Sequence, residues 1–347
     1  MLRILIMAPF YPAVGGIATW ANELVEKEDE NIAFAKLNEA NLSKYRKFFL
    51  YDIYRCFKIW RELVWNLRYN DIDIVHINIP ANILSMLREL LSISYVHKFK
   101  KKAIVHFHCT LPTIICSKIQ YLIFKWICKK SDGIITLNSF SYDYEKKINE
   151  NVANIPNFTT SKMISIGEQR VIYERASTVL YVGSIIETKG CIDLIEVAKH
   201  FPDMEFRMVG KVGININELD IPKNVTFTGV KSGDELAKEY HNADIFAFLS
   251  HMPAEGFSVS LTEAMATGLP CVVTDWAANK DMVEDSGGIV TKPNDVSEMV
   301  DAFKKIQNYE LRKKMSKWNV AKVKNFYTLP IIFAKISSFY VNIQNKV

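Results

Sequence analysis

The sequence lacks any run of about 18 uninterrupted apolar residues, the length a spanning helix needs. Its most apolar region, residues 111–128, is broken by Lys118 and Lys125. A transmembrane segment is therefore not expected, and the chain reads as soluble or at most peripheral to a membrane. None of the six cysteines, at 56, 109, 116, 128, 191 and 271, forms a Cys-x-x-Cys pair, and most stand among apolar residues. That pattern points to buried, reduced thiols in a cytosolic protein and away from disulfides or a zinc site. No two glycines stand two residues apart, so the Gly-x-Gly-x-x-Gly fingerprint of a dinucleotide site is absent. The opening MLRILIMAPFYP carries Arg3, Pro9 and Pro12, which fits a first β-strand and not a cleaved signal peptide.

What is present is two halves of similar pattern. A length of 347 residues favours two domains at the usual ~100–200 residues each. Strand-like runs at 3–9, 72–78, 103–108 and 133–138 alternate with helical patterns after Gly16, through 81–97 and up to Lys130. A second series follows at 178–184, 205–210, 225–230, 244–250 and 270–275, with helices near 190–200, 233–242 and 260–267. Such alternation predicts βαβ units and parallel sheets covered on both faces. The α/β reading thus has an N-terminal domain over 1–160, a C-terminal domain over 175–330, and a helix over 331–347 packing back toward the first. Residues 157–176 are polar without a clear period and read as the hinge.

Ligands of open α/β sheets bind beyond the carboxyl ends of the strands, so the strand-to-helix loops are where chemistry is sought. Gly15 and Gly16 follow the first strand and open a helix, as either a plain tight turn or a close approach to an anion. His106 and His108 alternate on a strand and share a face; His106 reads as structural, His108 as able to reach a ligand. Lys189, before Gly190 at a helix start, is placed to neutralise a phosphate or is simply solvated. Asp71 and Asp73 run straight into a strand, which argues against a metal-binding pair.

The stretch PAEGFSVSLTEAMATGLPCVVTD, residues 253–275, is the most telling. Ser260-x-x-Glu263 has the form of a capping box, Gly268 of a left-handed helix end, and Pro270 of a stop. Glu255 lies outside the helix, where a carboxylate adds little to a core and can accept hydrogen bonds from a polyol.

With these loops in order, EGFSVSLTEAMATGLPCVVTD, GSIIETKG, IPN at 155–157 and the Gly-Gly pair resemble the motifs of the retaining glycosyltransferase family 4. The likeness runs over nearly the whole chain. It implies the GT-B arrangement: two Rossmann-like doubly wound domains facing a cleft, with the C-terminal helix crossing back. It also implies a nucleoside-diphosphate sugar donor, of UDP or GDP type, with retention of anomeric configuration and no metal or other cofactor. Glu263 would then bond the ribose hydroxyls, and Glu255 with the N–H groups of Gly256 and Phe257 would hold the donor sugar. Lys189 would neutralise the diphosphate, joined by Gly16, with Gly15 and Gly183 in the flanking turns. His108 would lie beside the sugar, and Val230 and Lys231 near the base. One position departs from the family, Ser184, where Arg is usual; Lys189, helix N–H groups and Lys211 are left to neutralise the leaving group. The competing readings are a non-catalytic sugar-nucleotide-binding or membrane scaffold protein and, weakened by the missing glycine fingerprint, a nicotinamide oxidoreductase.

The net charge of +5 hides an asymmetry, since residues 40–130 hold 16 Lys/Arg against 5 Asp/Glu. Within 116–130, Ile119, Leu122, Ile123, Trp126 and Ile127 follow helical spacing beside Lys118, Lys125 and Lys129. Core packing with a solvated face explains this, as does a helix lying on an anionic membrane. The basic runs at 42–63 and 97–102 favour the membrane, and no nucleic-acid motif accompanies them. A glycan or lipid-linked acceptor, in bacterial surface polysaccharide synthesis at the inner face of the cell membrane, is the expected partner.

Overall fold

The computed structural model describes residues 1–13, 15–27, 29–40, 49–79 and 82–346. The N-terminal part of the basic run at 42–63 falls outside them. The chain forms two compact units, Met1–Pro156 with Ile332–Val347, and Asn157–Ile331.

The first unit is built from β1 (Leu2–Ala8), α1 (Gly16–Val25), β2 (Ile32–Asn38), α2 (Phe49–Tyr69), β3 (Ile74–Ile79), α3 (Ile83–Lys98), β4 (Lys102–Phe107), α4 (Leu111–Ile114), α5 (Lys118–Lys130), β5 (Gly133–Thr136), α6 (Ser139–Glu145) and β6 (Val152–Asn154). Its six strands are ordered β2-β1-β3-β4-β5-β6, and the pairings are parallel. The central strands β3 and β5 are buried along their whole length, as sheets covered on both faces require. Leu63, Met86, Ile93, Phe124 and Ile127 from α2, α3 and α5 share one core with Val75, Ile77 and Val105 of the sheet. Asp73 tethers the start of β3 to β1 through the Arg3 N–H at 2.9 Å, so this acidic pair is structural, with Asp71 paired to Arg3 at 3.5 Å.

The second unit comprises α7 (Ser161–Glu168), β7 (Thr178–Val182), α8 (Cys191–Ala198), β8 (Glu205–Val209), β9 (Val225–Gly229), α9 (Gly233–Asn242), β10 (Ile245–Phe248), α10 (Val259–Ala266), β11 (Cys271–Thr274), α11 (Asn279–Gly287), β12 (Gly288–Thr291), α12 (Val296–Lys305) and α13 (Tyr309–Phe326). The order β12-β11-β10-β7-β8-β9 is the doubly wound order, whose direction reverses between β7 and β10. The last helix, α14 (Leu329–Gln344), carries Pro330 in its first turn, where a missing N–H is harmless. Its Phe339 and Ile343 lie so close to Gly133 that a Cβ there would stand 2.9 Å from either.

Three features differ from the sequence reading. Residues 157–176 hold a helix, α7, and Arg170 beyond it donates to the carbonyls of Tyr240 and Ala243 at 2.5 and 2.8 Å. These bonds tie the segment into the second unit. The strands β2, β6 and β12 were not anticipated; each lies at or next to a sheet edge, where alternation is weak. Among the six free cysteines Cys116 is exposed, at the turn before α5, while the other five are buried.

Candidate active site

In the second unit the loops after β7 and β10 meet beside the reversal of strand order. After β7 the chain passes through Gly183 and the exposed Ser184, whose carbonyl accepts from the Tyr181 hydroxyl at 2.7 Å. A short 3₁₀ turn over Glu187–Lys189 then ends at Gly190, in the left-handed conformation at φ 72°. A Cβ at Gly190 would stand 2.1 Å from the Leu249 carbonyl oxygen, so only glycine lets this turn close against the end of β10. That closeness sets Lys189 opposite Glu255, Nζ to Oε2 2.5 Å. Ser250 donates to the same carboxylate oxygen at 3.0 Å, and the Lys189 ammonium also stands 5.5 Å from the centre of the Phe248 ring. Gly256 and Phe257 follow, both buried; Phe257 packs on Tyr327 and its carbonyl accepts from Asn157 at 2.9 Å.

The expected capping box is not formed. α10 begins at Val259, and Ser258 is its cap, accepting from the Leu261 N–H at 3.2 Å. Ser260 sits inside the first turn with its hydroxyl 3.1 Å from that of Ser258. A helix start two residues earlier than the sequence suggested leaves Glu263 without a capping role. Its Oε2 accepts from the Tyr240 hydroxyl at 2.9 Å instead. Burial pushes the Glu263 carboxyl up to about 7, the tyrosine bond opposing part of that rise. Gly268 closes the helix in the left-handed region, with N–H groups of Gly268 and Leu269 bonded to Met265 and Ala264 at 3.0 and 2.9 Å, a Schellman end.

Other residues nominated from the sequence are dispersed. Val230 is exposed and Lys211 likewise. The Lys231 ammonium is held by Glu239, which Arg207 also grips with Nε and Nη2 at 2.8 and 2.9 Å. Those bonds hold the Glu239 carboxyl down at about 2, so the charge of Lys231 is already balanced within the protein.

The first unit has a different site. Gly15 precedes α1 with φ 147° and Gly16 is its first residue, both exposed. On β4 the rings of His106 and the following His108 stack at 3.9 Å, with Trp20 of α1 edge-on to both. The Asn78 amide donates to the Met7 carbonyl at 3.0 Å, which turns its oxygen toward His108 Nε2 at 2.7 Å. Nε2 therefore carries the proton and Nδ1 a lone pair that can accept from a hydroxyl. Burial lowers His108 to about 3, so the ring stays neutral at physiological pH. Behind it, His76 joins His106 at 3.2 Å and the Tyr340 hydroxyl of α14 at 2.6 Å. Sequence reasoning missed Tyr240, Ser250, Trp20, Asn78 and His76. Only His76 left a local signal, a lone imidazole in the apolar run of β3.

Among the described residues no group of three His, Cys, Asp or Glu is arranged to hold a metal ion.

Two parallel six-stranded sheets with helices on their faces and loops of this kind define the GT-B fold. Residues 165–320 match the family model of glycosyl transferases group 1. The chain is 25% identical over 181 residues to the Escherichia coli UDP-Gal:alpha-D-GlcNAc-diphosphoundecaprenol alpha-1,3-galactosyltransferase, covering 48% of this chain and 46% of that protein. It thus spans about half the length of that curated relative. Sucrose-phosphate synthase of Thermosynechococcus elongatus superposes with a TM-score of 0.76 at 16% identity, over 99% of both chains. Anabaena HepE in complex with UDP superposes with a TM-score of 0.75 at 14% identity, over 99% of this chain and 100% of that one.

Proposed function

We propose that the protein is a retaining glycosyltransferase of the family 4 type, moving a sugar from a nucleoside-diphosphate sugar to a glycan or lipid-linked acceptor without a bound metal. The observation that carries this reading is the Lys189–Glu255 pair at 2.5 Å, set at the strand-order reversal within the region that matches the transferase model. An ammonium there meets the charge that develops on a departing diphosphate, where one lost charge-assisted contact costs on the order of 10²–10³ in rate. The bond from the anomeric carbon to the diphosphate oxygen breaks and the acceptor oxygen takes its place on the same face. The acceptor proton leaves with the diphosphate.

Glu263, free of capping duty, takes the ribose hydroxyls; Glu255 and the N–H groups of Gly256 and Phe257 take the donor sugar. Val230 and Lys231 are assigned to the base, and Gly183, Ser184 and Lys211 to the diphosphate. His108 accepts a sugar hydroxyl at Nδ1. The UDP held by HepE and the UDP-Gal of the E. coli relative favour a UDP-type donor. The diphosphoundecaprenol in that relative's name favours a lipid-linked acceptor, and with it a role in bacterial surface polysaccharide synthesis on the cytoplasmic side of the membrane.

The test is thermal stability against UDP, GDP, ADP, CMP and NAD without metal, since a ligand at 100 times its dissociation constant adds about 2.7 kcal/mol. Stabilisation by one nucleoside diphosphate, abolished in Glu263→Ala, is the expected result. Stabilisation by NAD alone, or by nothing, would overturn the reading.

A further inference from the structure

Helix α3 is apolar on its outer side as well as its inner one, where Met86, Ile93 and Val96 join the core, and its charge is held inside. Its buried side holds Ser85, Arg88, Glu89 and Ser92 together with Met86 and Ile93, and Arg88 is paired there with Glu89 and with Glu39 at 3.0 Å. Its outer side shows Ile83, Leu84, Leu87, Leu91 and Tyr95 to solvent, Leu91 at 48% exposure. A helix packed on a soluble core puts these the other way round, because an unsolvated ion cluster is costly and an exposed row of leucines gains nothing from water.

The row does not stand alone. α3 packs against α5 in the layer that covers one face of the first sheet. α5 adds Ile119, Leu122 and Trp126 to its own outer side, Trp126 at 58% exposure. Every exposed charged side chain on these two helices is basic: Lys98 at the end of α3, and Lys118, Lys129 and Lys130 at the two ends of α5. Glu89, the one acid on either helix, is buried in the ion cluster. The acidic neighbour Asp132 is engaged by His97 and Lys102 at 2.9 and 3.4 Å.

We infer that the outer face of α3 and α5 seats the protein on an anionic lipid bilayer, with its leucines and tryptophan in the boundary between headgroups and acyl chains and its terminal lysines on lipid phosphates. The pattern of apolar side chains, an aromatic at the edge and lysines at the helix ends is that of an element lying in the interface plane. A second copy of this chain fits the face poorly, because it would set one lysine rim against another, whereas lipid phosphates neutralise it. The inference rests on the surface of the first unit and stands apart from the transferase reading.

The full chain is sedimented with vesicles of phosphatidylcholine alone and of phosphatidylcholine with an equal share of phosphatidylglycerol. The wild type is expected to partition onto the second and at most weakly onto the first, with Trp emission quenched by brominated acyl chains and that quenching reduced in Trp126→Phe. Leu87→Glu with Leu91→Glu lies wholly on the exposed side, so it keeps the fold, checked by its melting curve, and weakens partitioning at least about tenfold. Absence of binding to anionic vesicles at low salt overturns the proposal. So does binding that the double variant leaves unchanged, or a lipid-free dimer that Leu87→Glu dissociates.

Discussion

The two units share an architecture, and the polar groups of their candidate sites are handled in opposite ways. In the second, charge is kept and matched: Lys189 with Glu255, Glu239 with Arg207 and Lys231. In the first, the sheet carries three histidines near its centre that burial keeps neutral. On the proposed reading, a nucleoside diphosphate brings negative charge that leaves with more of it, and charged partners suit it. A sugar hydroxyl brings none, and a neutral imidazole beside an aromatic wall serves it without attracting water or anions.

The contrast breaks most severely in acid. Free histidine titrates near 6.5, whereas His76 and His108 are held down to about 3. Below pH 6.5 the unfolded chain therefore binds protons that the folded chain refuses, and stability that is complete above pH 6.5 is lost as pH falls toward 3. Each histidine accounts for about 1.4 kcal/mol per pH unit, which the buried Glu39 and Glu263, held up to about 8 and about 7, work against over the same range, so the melting temperature of His108→Asn is expected to change more favourably from pH 7 to pH 5 than that of the wild type. The same pH dependence in both proteins would mean that the ring is solvated.

On the charged side, Lys189→Ala is expected to lower turnover about 10²–10³-fold while weakening donor binding far less. A loss confined to binding, with turnover unchanged, would remove Lys189 from the chemistry. A smaller change is expected of Glu263→Gln, about 1.5–3 kcal/mol in affinity for UDP-sugars. Because the carboxyl titrates near 7, wild-type affinity should rise with pH through that value as the carboxylate forms, and the glutamine variant should show a flat profile. Titration calorimetry between pH 6 and 8 reads both. Smallest is Tyr240→Phe, about 1 kcal/mol. It removes the bond that favours the charged form, so the same pH profile should move upward; a shift in affinity without a shift in profile would make Tyr240 merely structural.

Much of the fold was legible because β3, β4, β5, β7, β8 and β10 are buried central strands with apolar runs that follow from burial on both faces. β2, with Lys36 in its sequence and one pairing partner, owes its form to the neighbouring strand and not to its own pattern. The motif loops were legible as loops. What they touch was not: Tyr240 lies 23 residues from Glu263, and no local rule connects them. The capping box failed for a related reason: Ser258 and Ser260 are both N-cap residue types, only Ser260 has a Glu three residues on, and the tertiary setting chose Ser258 all the same. The orientation of α3 was equally hidden, because apolar residues stand on both of its sides and Glu39, which pairs with Arg88, is 49 residues away in sequence.

The contact of Gly190 with the end of β10 also bears on how this protein can change. A position where a methyl group would meet a backbone oxygen at 2.1 Å admits no gradual exploration. In a library of random variants position 190 should return as glycine or as loss of the turn that presents Lys189, with nothing between. On the proposed transferase reading, new donor or acceptor preferences would then have to be selected at open positions such as Val230 and Ser184, so that the turn assigned to the diphosphate stays fixed while its clientele drifts.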